Sequence, residues 1–327
     1  MSVGTFHLWA IAATVGVCVV IVAGGVVRLT GSGLGCDDWP NCNTERFVDV
    51  SSLHAAIEQA NRLLSALVGI PALVLAVACS RVRPRRDGLV WPSLGLLVAI
   101  LANGVLGGMT VRGDLHPALV QSHFVLALVA VTFGMIAADH SRPRSDPASD
   151  RGFDPVSDPQ SGPASDATVD AGRRLPQFVR PWTYALAVGT VVAIVTGTVV
   201  TGTGPHAGDE HARRWGFDIS AVARIHAIVV LATVAGFLAM LWRLRGCRLQ
   251  PRVWSALSTW LFVAVVQGAI GYLQYFNGVP EVLVGAHIAG ATLLWVATVH
   301  LVQVVAPHTR SAPGPSRLVV SDEVLAR

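Results

Sequence analysis

Lysine is missing from this chain: all 24 of its basic residues are arginine. Charge of either sign is scarce, at 13% of the 327 residues, whereas 52% are hydrophobic and mean hydropathy is +0.56. That balance is too apolar for an ordinary water-soluble domain and excludes one. The net charge of +4 does not mark a nucleic-acid binder, because the arginines are gathered in particular loops. The first apolar stretch has neither a basic start nor a small-residue cleavage site, so it is expected to stay as a helix and not to be removed as a signal peptide. No interrupted helix or acidic ion site of the transporter kind is present, although parallel repeats also occur in some transporters.

What the chain does have is long apolar runs. A membrane-spanning helix needs ~20 consecutive apolar residues. Eight runs qualify, at about 8–27, 53–79, 91–111, 118–138, 182–202, 222–242, 254–274 and 281–303. The second is the least regular, being interrupted by His54, Glu58, Asn61 and Arg62. Arginine clusters at 81–86, 142–180, 243–252 and 310–327 outnumber those in the alternate loops, and this bias puts both termini in the cytoplasm of a multi-pass cell-membrane protein. The polar, Ser/Asp/Pro-rich stretch 139–181 cannot bury a core. It is expected to be a disordered cytoplasmic linker between two four-helix halves, 1–138 and 182–306, with a flexible tail at 307–327. The fold class is therefore all-α: a polytopic membrane protein of eight transmembrane helices in two pseudo-symmetric four-helix bundles.

The halves echo each other. Residues 103–126 read NGVLGGMTVRGDLHPALVQSHFVL and 267–290 read QGAIGYLQYFNGVPEVLVGAHIAG. Each copy has an amide residue (Asn103, Gln267) followed by two glycines (Gly104 and Gly107; Gly268 and Gly271), with a histidine twenty residues after the amide (His123, His287). Thr30-Gly31-Ser32-Gly33 is echoed by Thr201-Gly202-Thr203-Gly204. Repetition of this kind marks a duplicated bundle.

Ionisable side chains inside a span are costly and point to function. His123, His226 and His287 each lie a few residues into spans that run the same way, so they share a depth in the outer leaflet. His226 and His287 are expected to form an axial pair for one haem held between facing helices. The competing view is that each is a hydrogen-bonded packing residue; the repeat weighs against it. Zinc is disfavoured, since neither carboxylate nor thiolate accompanies them. Glu58 shares a helix face with His54 and Asn61. It could move protons beside a bound haem, or simply pair with Arg62 at i,i+4; spacing leaves both open. Of five cysteines, Cys36 and Cys42 share the first outward loop, CDDWPNC, where a disulfide is favoured over a zinc site lacking a second pair. His116, His206 and His211 read as loop residues, and Arg213 and Arg214 as weak candidates for haem propionates.

The motifs GGVVRLTGSGLGCDDWPNC (24–42), HAAIEQANRLL (54–64) and VTGTGPHAGD (200–209), with the two histidine-bearing spans, resemble the heme A synthase family over roughly 8–303. The resemblance implies an oxidoreductase that converts haem O to haem A by successive hydroxylations of a ring methyl, for terminal oxidase biogenesis. It implies His226 and His287 on haem b iron, His123 on substrate haem iron, a functional Glu58 and an outward cysteine pair at Cys36 and Cys42. Its partners would be haem O, membrane lipid, a haem O synthase and an unidentified electron donor, with no nucleic acid. A bis-histidine electron-transfer cytochrome b is the alternative. One departure stands out: where many members carry a haem-ligating histidine three residues after the glutamate, this chain has Asn61. Five-coordinate substrate haem on His123 is one consequence open at this point.

Overall fold

A computed structural model of the chain describes residues 1–143 and 175–306. The central part of the expected linker (144–174) and the expected tail (307–327) lie outside the described residues. Eight long helices account for nearly everything else: α1 Val3–Leu29, α2 Leu53–Ala78, α3 Val90–Arg112, α4 Pro117–His140, α5 Val179–Thr203, α6 Ile219–Leu244, α7 Pro251–Phe276 and α8 Glu281–Val305. All eight are long and apolar enough to cross a membrane. No strand occurs among the described residues, only an isolated bridge between Ser2 and Arg83.

Helix starts are set by local chemistry. The side chains of Ser2, Ser52 and Asp218 accept the backbone N–H of Thr5, Ala55 and Ala221, and Pro117 and Pro251 open α4 and α7. Most helices run slightly past the apolar stretch that predicts them, because backbone bonding continues through the interfacial region. The expected linker 139–181 loses residues at both ends for this reason: α4 continues to His140 and α5 begins at Val179.

The helices form two pseudo-symmetric four-helix bundles. In the first, α1 packs on α2 and α4, and α3 on α2 and α4; in the second, α5 packs on α6 and α8, and α7 on α8. Matching positions are buried. Phe6, Ala10, Ala13, Val17 and Ile21 on α1 correspond to Val179, Thr183, Leu186, Thr190 and Ile194 on α5. Ala72, Leu75 and Cys79 at the end of α2 correspond to Phe237, Met240 and Leu244 on α6. Two apolar cores form, the first of them also taking in Ile194 of α5 and Ile288, Trp295 and Val296 of α8.

The bundles meet where α8 crosses α1 and α4, and where α4 meets α5. Trp295 Nε1 on α8 lies 3.0 Å from both Leu128 O and Thr132 Oγ1 on α4. On the face that carries the disulfide loop, Gly33 N donates to Gly208 O at 2.8 Å, and Arg28 donates to His206 O and Thr201 O. Gly208 has φ +105 and a β-carbon there would press on Leu115, so that position requires glycine.

Helix α6 is the exception to close packing. Its only buried residues are Phe237, Met240 and Leu244, all near its C-terminal end, where Phe237 stacks on Trp260 at 4.4 Å. Along its length α6 packs chiefly on α5, with little close backbone approach to α7 or α8. His226 lies in the N-terminal half of α6, away from these buried residues.

Candidate functional site

Helices α4, α6 and α8 seat His123, His226 and His287 in the same way. Each imidazole lies edge-on against a glycine of a neighbouring helix. A β-carbon built at Gly107 would lie 3.1 Å from Cε1 of His123; at Gly271, 3.1 Å from Cε1 of His287; at Gly197, 3.0 Å from Cε1 of His226. In all three Nδ1 is nearer the glycine than Nε2 is. Only glycine lets a ring approach a helix backbone so closely, and the approach turns Nδ1 toward that helix. The backbone facing the ring belongs to the residue one turn earlier: Asn103 for His123, Ala193 for His226, Gln267 for His287. For His123 and His287 this is a loose contact, short of a full hydrogen bond, since Nδ1 of each is buried without an aligned partner. His226 Nδ1 also meets Thr196 Oγ1 at 3.1 Å. An imidazole steadied through Nδ1 presents Nε2 to a metal.

His226 projects from α6 and His287 from α8, near one another. Gln267 Nε2 donates to the His287 carbonyl at 2.8 Å, fixing α7 against α8 beside the ring. Gly268, next to Gln267 on α7, has no neighbour within 4 Å of a built β-carbon. Buried polar atoms without a hydrogen-bond partner occur on the neighbouring helices: Gln267 Oε1 on α7, Asn103 Oδ1 on α3 and Asn61 Oδ1 on α2. Buried polar atoms are normally satisfied. Glycine-backed imidazoles on facing helices, with unpaired buried amides on their neighbours, fit a haem held by histidine. Among the described residues no group of His, Cys, Asp and Glu could hold a bare metal ion.

His123 occupies the matching position in the first half. Above it lies the loop 31–52, closed by a disulfide between Cys36 and Cys42. Glu58 is buried beneath this loop at 5% exposure. Its Oε2 accepts Cys36 N at 2.8 Å; its Oε1 accepts Arg62 Nη2 at 2.6 Å and Nε at 3.1 Å. Arg62 continues to Asn41 O and Asp38 O, both at 3.0 Å. The i,i+4 ion pair is thus formed, and it also clamps the disulfide loop to α2. The Trp39 ring packs on Gly108, and Arg112 donates to Trp39 O, tying the same loop to α3. Outside the spans, Asp38 is held below the usual carboxylate range, chiefly by the Trp39 N–H and then by Arg112.

The remaining candidates have structural partners. His54 Nδ1 lies 2.9 Å from Ser32 Oγ. His116 accepts Ala118 N at the start of α4 and packs on Trp215. His206 bonds Val279 O, and His211 is solvent-exposed beside Asp209. Arg214 donates to Gly204 O and Pro205 O, and Arg213 pairs with Asp114. Sequence reasoning missed Gly197 and Thr196 as supports of His226, because nothing in a linear pattern pairs α5 with a residue on α6.

A family model described as "Cytochrome oxidase assembly protein" matches residues 7–52 and 47–208. The chain is similar to "Heme A synthase" of Alkalihalophilus pseudofirmus, 29% identical over 136 residues, which is 40% of this chain and 46% of that protein. It is also similar to "Heme A synthase" of Geobacillus kaustophilus, 32% identical over 121 residues (37% and 36%), and of Lysinibacillus sphaericus, 32% over 126 residues (37% and 38%). Each alignment covers less than half of the relative's length. The family match contains Glu58, Asn61 and His123, while His226 and His287 are reached through the structural repeat. Its two-bundle membrane architecture and a family match over more than half its length show that this chain belongs to the heme A synthase family of cytochrome oxidase assembly proteins.

Proposed function

We propose that this chain is a membrane oxidoreductase that converts haem O to haem A, oxidising one ring methyl to a formyl group by successive hydroxylations. Haem O is held by His123 in the N-terminal half (1–138), and a resident haem b by His226 and His287 in the C-terminal half (182–306). The observation that carries this reading is the threefold repetition of one imidazole seat, a histidine edge-on against glycine. Haem b, when bound, supplies the one-electron chemistry that side chains cannot perform.

The protein's own residues position and screen. Thr196 and the Ala193 carbonyl orient His226, and Gln267 locks the helix that carries His287. The disulfide loop, pinned by Glu58 and Arg62, keeps water from the first-half site. Glu58 is the group we assign to proton movement there, its charge balanced by Arg62. Exposed Ile225 and Ile228 on α6 offer membrane lipid and a long isoprenoid tail an apolar wall. The arginine-rich face is cytoplasmic, so the sites lie towards the outer leaflet. A haem O-supplying enzyme and an electron donor complete the system. An electron-transfer cytochrome would need no buried carboxylate and would favour two imidazoles in each half, where this chain has Asn61.

The test is chromatography of haems extracted from cells that make haem O, with and without the full chain. Haem A appearing only with the chain supports the activity; haem O persisting unchanged beside folded, haem-loaded protein removes it.

A further inference from the structure

The two halves can be placed in register helix by helix, and the register exposes a difference. On α1 and α2, a β-carbon at Gly16 would meet Val68; on α5 and α6, one at Gly189 would meet Thr233. The buried positions of these helices follow the same correspondence. Eight residues after each glycine come Gly24 and Gly197; seven before each partner come Asn61 and His226. Gly24 and Asn61 therefore occupy the places of Gly197 and His226.

In the second half the imidazole of His226 fills the space over Gly197. In the first half a β-carbon at Gly24 would meet nothing within 4 Å. The supporting hydroxyl is missing as well: Thr196, which meets His226 Nδ1 at 3.1 Å, corresponds to Ala23. Asn61 is shorter than histidine, and its Oδ1 is buried with no hydrogen-bond partner. On α4, the seat of His123 over Gly107 is complete. One wall of the first-half site is thus built to hold an imidazole, and the other has lost the ring, its hydroxyl support and any contact over its glycine.

We infer that the first-half site holds its haem iron through His123 alone, and that Asn61 faces a coordination position left open to a small exogenous ligand. The inference rests on the proposed haem sites and deepens that reading. A short neutral amide is a poor ligand for haem iron but a good hydrogen-bond donor or acceptor to a small molecule bound there. The two halves are then unequal: a closed, two-imidazole site for a resident haem, and a one-imidazole site with a vacant face where chemistry can occur.

The experiment uses the full chain purified from cells that make haem O, examined by visible absorption and electron paramagnetic resonance, with cyanide as the probe. The expected result is two ferric components. One is low-spin and is lost in His226→Ala. The other is high-spin, shifts on adding cyanide, and is lost in His123→Ala. Asn61→His should convert the high-spin component to low-spin and abolish its cyanide response, since the space over Gly24 admits a ring. Asn61→Ala should keep the high-spin, cyanide-responsive component, and this second variant decides the matter if Asn61→His does not fold. A wild-type protein with two low-spin haems and no cyanide response overturns the inference but leaves the haem sites standing. Folded protein that retains no haem in either half overturns both.

Discussion

Glu58 accepts the backbone N–H of Cys36 at 2.8 Å, so a carboxylate inside a membrane helix is joined directly to the disulfide of the loop above it. Arg62 shares the other oxygen and reaches two further carbonyls of that loop. Loop order and the charge state of Glu58 are therefore linked. Replacing Glu58 by Ala strands Arg62, and breaking a largely buried ion pair from one side costs about 3 kcal/mol. Glu58→Ala is expected to retain the second-half haem while stopping haem A formation. Glu58→Gln keeps an acceptor for Cys36 N, so it separates loop anchoring from proton handling. Undiminished product in both variants would strip Glu58 of its role.

The disulfide closes a short loop, and its removal in Cys36→Ser is expected to cost about 2 kcal/mol in chain entropy. Hydrogen exchange at residues 36–42 should speed up, and Trp39 should leave its contact with Gly108. Unchanged exchange there would mean that the Glu58–Arg62 clamp alone orders the loop.

Thr196 supports His226 from a neighbouring helix. Loss of such a partner lowers metal-site affinity by roughly 10–100-fold. Thr196→Val should therefore weaken haem b retention without abolishing it, whereas His226→Ala or His287→Ala should remove the low-spin haem b spectrum. A haem titration of the three variants checks the order; normal spectra in both histidine variants would eliminate the second-half site.

Trp295 fastens the two bundles through contacts with Leu128 O and Thr132 Oγ1. Trp295→Phe keeps most of the apolar contact and removes the indole N–H. The expected cost is about 1 kcal/mol, seen as a lower thermal midpoint in detergent. No change would place the strength of the seam in its apolar contacts.

Asp218 caps α6, the helix that carries His226, and its carboxylate is held below the usual range, first by the Ala221 N–H and then by the Ser220 hydroxyl. A depressed value in the folded state means the cap's contribution is fully present above the unfolded value of about 3.9 and fades as pH falls through the lower folded value. Amides in the first turn of α6 should lose protection, measured relative to their intrinsic exchange rates, below about pH 4. Asp218→Asn retains a capping side chain and should remove that acid dependence; an unchanged acid response would assign it to another group.

The eight spans, the repeat and the three histidines were legible because each rests on a local property. Apolar length is imposed by membrane thickness, and a duplicated site leaves matching residues at matching intervals. Cys36 and Cys42 were legible because a short loop holds them together. Glu58 was visible as an intramembrane carboxylate, but two uses fitted its spacing. The helix pair with Arg62 is sequence-local, whereas the bond to Cys36 N depends on where a separate loop comes to rest.

The chain by itself therefore determined how many helices cross the membrane, which of them carry imidazole, and that Asn61 breaks the pattern. Tertiary structure alone decided that each imidazole rests on a particular glycine, that Thr196 steadies His226, and that the place over Gly24 stays open. The reason is geometric. Hydropathy constrains whether a segment spans a bilayer and says nothing of its rotation about its own axis, and that rotation, set by contacts between distant helices, aims the side chains.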